Sequence, residues 1–394
     1  MTRHRMLWNG PPRPRLARWF AALATLGACA GEPFVPDSDA VVVERLPARP
    51  AVGFAALNRS NAVPVEMIPE HVRELIRRAR DESDPRYLGQ AERLLEPLVN
   101  RLPPSPEALV LRGVIRQSRH DFSGALADLD AALRGDPRNA QAWLTKATVH
   151  TVRGEYPAAR GACVRLAGIT DTLTTVTAGA QVASMTGEAV AALGLLRSTM
   201  ARVTNAPAPI RAWAETLSGE IAGRLGRRDE AAAHLRAALA IEPNDVYALG
   251  ALADVWLDAG EAGRVVALLR DRVGSDGLRL RLAEAERARG DGDQGAAEIE
   301  RLRARFAFTR DRGERVHQRE EARFRLRLLD DPAGALALAR ENWTVQREPA
   351  DIRLLLEAAM AAGDSAGIDT AQRWIATNRF EDVAIERALH GVSR

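Results

Sequence analysis

Side chains able to do chemistry are few and far apart in this 394-residue chain. His71 and Glu74 stand one helical turn apart, so both fall on the same helix face. Two ligands do not make a metal site, and no third has a matching spacing. The pair therefore reads as a solvated helix face, and neither a metal nor another cofactor is expected. His120-Asp121 lies where the chain must reverse between two helices; histidine tolerates the left-handed conformation there, so the dipeptide reads as a helix end. His150 is expected to pack between helices. Of the two cysteines, Cys163 falls among apolar residues at helical spacing and reads as a small buried hydrophobe. No Gly-x-Gly-x-x-Gly or Gly-Lys-Ser run, no Cys-x-x-Cys-His and no zinc spacing of Cys and His occurs. Catalysis is not expected. Arginines crowd from Arg301 to Arg327, but Asp311, Glu314, Glu320 and Glu321 are interleaved, which describes a solvated, ion-paired face. A docking patch for an acidic partner or anionic lipid is the alternative.

The elements that position these residues follow a period. Residues 106–139 form a 34-residue unit with Leu109 at position 4, Gly113 at 8, Ala125 at 20, Leu129 at 24 and Pro137 at 32. Residues 140–173 repeat it with Trp143, Ala147, Ala159 and Cys163; residues 72–105 repeat it with Leu75, Ala79, Ala91, Leu95 and Pro103. Apolar residues three or four apart share one helical face, and small residues at 8 and 20 let two helices approach closely. Near position 15 the chain must turn, and Gly154, Gly226 and Gly260 stand there. Proline at 32 stops the second helix and opens the connection to the next unit.

Abutting units with this pattern resemble tetratricopeptide repeats. The resemblance implies an all-α fold, a right-handed α-solenoid of helical hairpins, and a scaffold that binds protein or peptide. The inner wall of such arrays comes from positions 2, 5, 9, 12 and 13 of the first helix of each unit. By register these are Glu107, Val110, Val114, Gln117 and Ser118, then Gln141, Leu144, Thr148, Thr151 and Val152, with Trp213, Thr216, Glu220, Arg224, Tyr247, Asp254 and Asp258 in later units. The family's lysine and asparagine clamp for a C-terminal carboxylate is missing from those positions.

Ahead of the repeats, residues 1–28 carry five arginines, no acid and the apolar run from Trp19 to Leu26, which describes a secretory signal too short to span a bilayer. Leu26-Gly27-Ala28-Cys29 resembles the bacterial lipobox, which implies cleavage before Cys29 and lipid on its sulfur. An ordinary secretory signal cut after Ala28 or Ala30 is the alternative. Removing the five arginines takes the formal net charge from +3 to about −2. The basic balance belongs to the signal, and a nucleic-acid partner is not expected.

The expected organisation is a signal at 1–28 and a proline-rich tether at 29–68, then N-terminal units over 69–211 (72–105, 106–139, 140–173 and a degenerate 174–211). C-terminal units over 212–394 follow (212–245, 246–274 and degenerate units to 379), with a capping helix at 381–390. That makes about nine hairpins. The expected function is a non-catalytic scaffold of the bacterial cell envelope, facing the periplasm and possessing a lipid anchor, that holds another protein or a peptide in its concave groove during assembly of a membrane complex. By resemblance to lipoprotein sorting signals, Ala30 after the cysteine points to the outer membrane. Secretion to the periplasm is the alternative location. An accessory subunit that positions a partner enzyme is the alternative function.

Overall fold

A computed structural model describes residues 63–392 apart from 82, 83, 273, 291 and 312–315. The expected signal, Cys29, most of the expected tether, Arg312, Glu314 and Arg315 lie outside the described residues. Val63–Arg394 form one compact unit. After a single 3-10 turn at Val65–Met67 come nineteen α-helices, and no strand occurs among the described residues. Consecutive helices pair. The first three hairpins are α1 (Ile68–Asp81) with α2 (Arg86–Val99), α3 (Pro106–Ser118) with α4 (Phe122–Gly135), and α5 (Ala140–Val152) with α6 (Tyr156–Leu166). Next come α7 (Thr172–Ser184) with α8 (Ala189–Arg202), α9 (Ala208–Arg224) with α10 (Arg228–Ile241), and α11 (Val246–Asp258) with α12 (Ala262–Leu269). The last three are α13 (Asp276–Arg289) with α14 (Gly292–Asp311), α15 (Gln318–Leu328) with α16 (Pro332–Val345), and α17 (Pro349–Ala361) with α18 (Ser365–Asn378), followed by α19 (Val383–Val392). None of the described helices is long and apolar enough to cross a membrane.

The helix ends have local causes. Ser105, Asp121, Asn139, Asp171 and Asp245 precede α3, α4, α5, α7 and α11, and the side chain of each accepts a backbone N–H of the first turn. The left-handed residue between paired helices is Gly154, Gly187, Gly226 or Gly260 where glycine is available, and His120 takes the same conformation at φ 61°. Pro97 lies in the last turn of α2, which runs two residues further; a proline there removes only one backbone donor.

Each first helix packs on its own partner and on the first helix of the next hairpin, and one apolar cluster crosses 211/212 by joining Leu193 and Leu196 of α8 to Leu217 and Ile221 of α9. Close approach inside a hairpin rests on position 8. A Cβ on Gly113 would stand 3.0 Å from Leu129 Cγ, and one on Gly219 would stand 2.6 Å from Leu235 Cγ.

Candidate functional site

The first-helix wall is only partly open. Val110 is 4% exposed and belongs to the core that α1 builds against α3, and Thr151 is 6% exposed with its hydroxyl donating to the Ala147 carbonyl at 2.7 Å. Neither is available to a partner, contrary to the register expectation, because the neighbouring helices close over them. Glu107 is exposed and ion-paired with Arg73 of α1; Ser118 is exposed and donates to the Val114 carbonyl. Val114 and Gln117 are half-buried. Gln141 is exposed, its amide donating to Thr145 Oγ1 at 3.1 Å, while half-buried Thr148 donates to the Leu144 carbonyl. Tyr247 is 58% exposed and donates its hydroxyl to Glu220 Oε1 at 2.5 Å.

Leu144 and Trp213 are half-buried against an apolar cluster whose other half comes from Ile352, Leu356, Ala371, Phe380 and Ile385, more than a hundred residues on. The link before α17, the last hairpin and α19 return to the middle hairpins. The Arg347 N–H donates to the Val152 carbonyl at 2.6 Å, and Arg379 lies against Gly187, where a Cβ would be 2.8 Å from the Arg379 Cβ. Val383 packs on Gly226, where a Cβ would be 3.1 Å from Val383 Cγ2. Arg353 of α17 forks onto Asp258 of α11 at 2.6 and 2.7 Å. Trp374 stacks edge-on with Trp343 at 5.4 Å and Tyr156 at 6.4 Å. The expected helix at 381–390 is α19, which packs on α17 of the neighbouring hairpin and also reaches the turn at Gly226 in the middle of the array. The one trace in the sequence is that Trp343, Trp374 and Phe380 stand in segments with weak repeat register.

The arginine-rich stretch divides. Arg301, Arg303, Arg305, Arg310 and Arg327 are exposed and ion-paired; Arg301 and Arg303 pair at i,i+3 on their own helix, as mixed charge at helical offsets predicts, and the other three reach carboxylates of other helices. Arg319 and Arg323 instead sit inside. Arg323 reaches Asp254 at 2.8 Å and Glu284 at 2.7 Å, and Arg281 reaches Asp254 at 2.5 Å, so two guanidinium groups hold the Asp254 carboxyl well below its usual range against the opposing effect of burial. Arg319 pairs with Asp351 at 2.5 Å and with Glu348. Of the inner-wall carboxylates, Asp254 and Asp258 are therefore engaged by this chain's own arginines.

Glu220 has no such cation within bonding distance. Burial pushes its carboxyl up to about 7, and the Tyr247 hydroxyl and Arg224 offset this only in part. A carboxyl raised from 4.5 in this way contributes stability that is complete below about 4.5 and lost as the pH rises through about 7. Glu220→Gln keeps an acceptor for Tyr247 and removes the charge. The variant is expected to be more stable than the parent at pH 8 by about 1–2 kcal/mol, below the ceiling set by the full shift because the side chain keeps some solvent contact, with the difference closing by pH 4.5. Thermal melts across that range measure it.

His71 bonds the Met67 carbonyl at 3.0 Å, His120 stacks on Phe122 at 5.4 Å with its imidazole held below the usual range by burial, and half-buried His150 pairs with Glu155 at 2.7 Å. Among the described residues no group of three or more His, Cys, Asp or Glu could hold a metal ion. Burial pushes the Cys163 thiol up to about 11. In a chain carrying Cys29→Ser, an aromatic disulfide reagent is expected to react with native Cys163 about 100-fold more slowly than with the unfolded chain, read as thiolate release over time.

A tetratricopeptide repeat family model matches residues 110–172 and 216–270, which cover most of α3 to α6 and most of α9 through α12. Among solved structures, a tetratricopeptide repeat protein from Parabacteroides merdae is similar at 16% identity, over 60% of this chain and 93% of its own, with a TM-score of 0.41. PilW, a type IV pilus biogenesis factor, is similar at 20% identity over 52% of this chain and 94% of its own, TM-score 0.42. A Rap protein complexed with competence and sporulation factor is similar at 14% identity over 82% of this chain and 91% of its own, TM-score 0.49. No curated protein sequence matches the chain.

Proposed function

We propose, from the premise that this chain is a tetratricopeptide repeat protein, that it is a non-catalytic scaffold of the bacterial cell envelope which holds another protein or an extended peptide against its first-helix wall. The observation that carries the reading is the wall itself. Glu107 and Gln141 remain exposed on the successive first helices α3 and α5, and Tyr247 on α11, while the opposite faces of these helices are buried in the stack, so these side chains are available for contact. The lipobox at Leu26-Gly27-Ala28-Cys29 supports anchoring at the membrane through lipid on Cys29, and assembly of a membrane complex is the role that suits an anchored scaffold.

The test uses the full chain in its native envelope. A photocrosslinker at Gln141 is expected to capture one discrete partner from solubilised membranes, and Cys29→Ser is expected to move the protein from the membrane to the soluble fraction. Crosslinking no more specific than that from an outward position such as Val164 ends the scaffold reading. Unchanged membrane retention of Cys29→Ser ends the lipid-anchor reading.

A further inference from the structure

Helix α8 starts without a cap of its own, since Glu188 supplies no side-chain hydrogen bond to its first turn. The acceptor comes from the far end of the chain: Glu381 Oε2 takes the Ala189 N–H at 2.8 Å. Beside it, Phe380 is 5% exposed, with the Arg224 guanidinium 4.9 Å from its ring centroid. The first turn of α19 then lays Val383 on the Gly226 shelf and sinks Ile385, 2% exposed, into the shared apolar cluster. The surface beneath thus asks for three things in fixed order: an aromatic ring under a guanidinium, an acid at a helix N-terminus, and apolar residues on one edge of a helix.

The cluster that α19 completes leaves two buried donors unpaired. The Tyr156 hydroxyl, in the same cluster and 4% exposed, has no hydrogen-bond partner, and neither has Arg224 Nε. Buried donors left unpaired are costly, so an occupant that supplies acceptors there gains over α19. α19 is also weakly tied to what precedes it. It has ten residues, too few to hold a helix in water without docking, and Arg379 at φ 52° separates it from α18. Elements of this kind open locally without unfolding the rest.

We propose that the surface under Phe380–Leu389 is a docking site for an amphipathic helix of a partner protein that carries an aromatic residue directly followed by an acid, and that α19 covers this site in cis when no such partner is bound. This rests on the protein-binding reading above and names the partner's chemistry and the site it takes. A tethered occupant has the advantage of high effective concentration, so a partner must either bind more tightly or meet the protein while α19 is open.

The probe is a fluorescent synthetic peptide of residues 379–392, added to the full chain and to a full chain carrying Phe380→Ala and Ile385→Asp. The peptide is expected to bind the variant at least tenfold more tightly than the parent, and a peptide with Glu381→Ala is expected to bind the variant at least tenfold more weakly. Equal binding to parent and variant, or no binding to a variant whose helical circular dichroism is intact, overturns the proposal. If the variant loses its helical signal, hydrogen exchange on the parent decides: α19 amides are expected to exchange at least tenfold faster than those of α9, and still faster with excess peptide present. Exchange of α19 at the rate of α9, unmoved by peptide, overturns it. Discrete capture through Gln141 that excess peptide does not reduce leaves the scaffold standing and removes this site. Tight peptide binding with no discrete capture does the reverse.

Discussion

Replacing Arg319 with methionine is expected to destabilise the protein by about 3–5 kcal/mol. The guanidinium of α15 forks onto Asp351 of α17 at 2.5 and 2.9 Å, and also pairs with Glu348. Asp351 is 2% exposed and further accepts the Asn342 amide at 2.7 Å and the Glu348 backbone N–H at 2.8 Å. One carboxylate therefore joins three helices, and burial pushes it up against the pull of Arg319. Methionine fills a similar volume but leaves that charge without its cation. Removing one partner of a buried pair costs far more than the pair is worth against an apolar replacement, so Arg319→Met with Asp351→Asn is expected to recover a large part of the loss. Urea unfolding of the parent, the single variants and the double variant measures this; additive single effects, with no recovery, would mean that the ion pair does not hold the junction.

Gly219→Val is expected to cost about 2–3 kcal/mol by overpacking. A Cβ there meets Leu235 Cγ at 2.6 Å and the Ala231 carbonyl oxygen at 3.1 Å. The first is the branch carbon of a fully buried side chain and the second is backbone, so neither swings aside; α9 and α10 have to part. Gly161→Ala is the control of opposite sign. It lies on α6 with nothing within 4 Å of its Cβ, and a better helix former there is expected to add about 0.5–1 kcal/mol. Paired unfolding curves read both, and no loss for Gly219→Val would show that close approach does not select glycine at position 8.

How much of the protein is visible in its sequence depends on the range of the cause. His120 could be assigned the left-handed turn because histidine at that phase has few other options, and its φ is 61°. The ion pairing of Arg301 with Glu298 and of Arg303 with Glu300 could be read from charge offsets on a helix. Arg319 and Arg323 carry the same offsets in the same stretch, yet they face the inside, where Asp351 and Asp254 meet them from other hairpins. Val110 and Thr151 failed as wall residues for a related reason: register fixes a position on a helix, while the neighbouring hairpin decides how much of that position it covers.

Alone, the sequence determined the repeat period, the helix ends and the turn residues, since each depends on groups within a few positions of one another along the chain. Only the tertiary structure decided that α17 to α19 return to the middle hairpins. Glu381 capping α8 spans 192 residues and Arg353 on Asp258 spans 95, and contacts at such separations leave no spacing in the sequence, because they follow from how small rotations between successive hairpins accumulate.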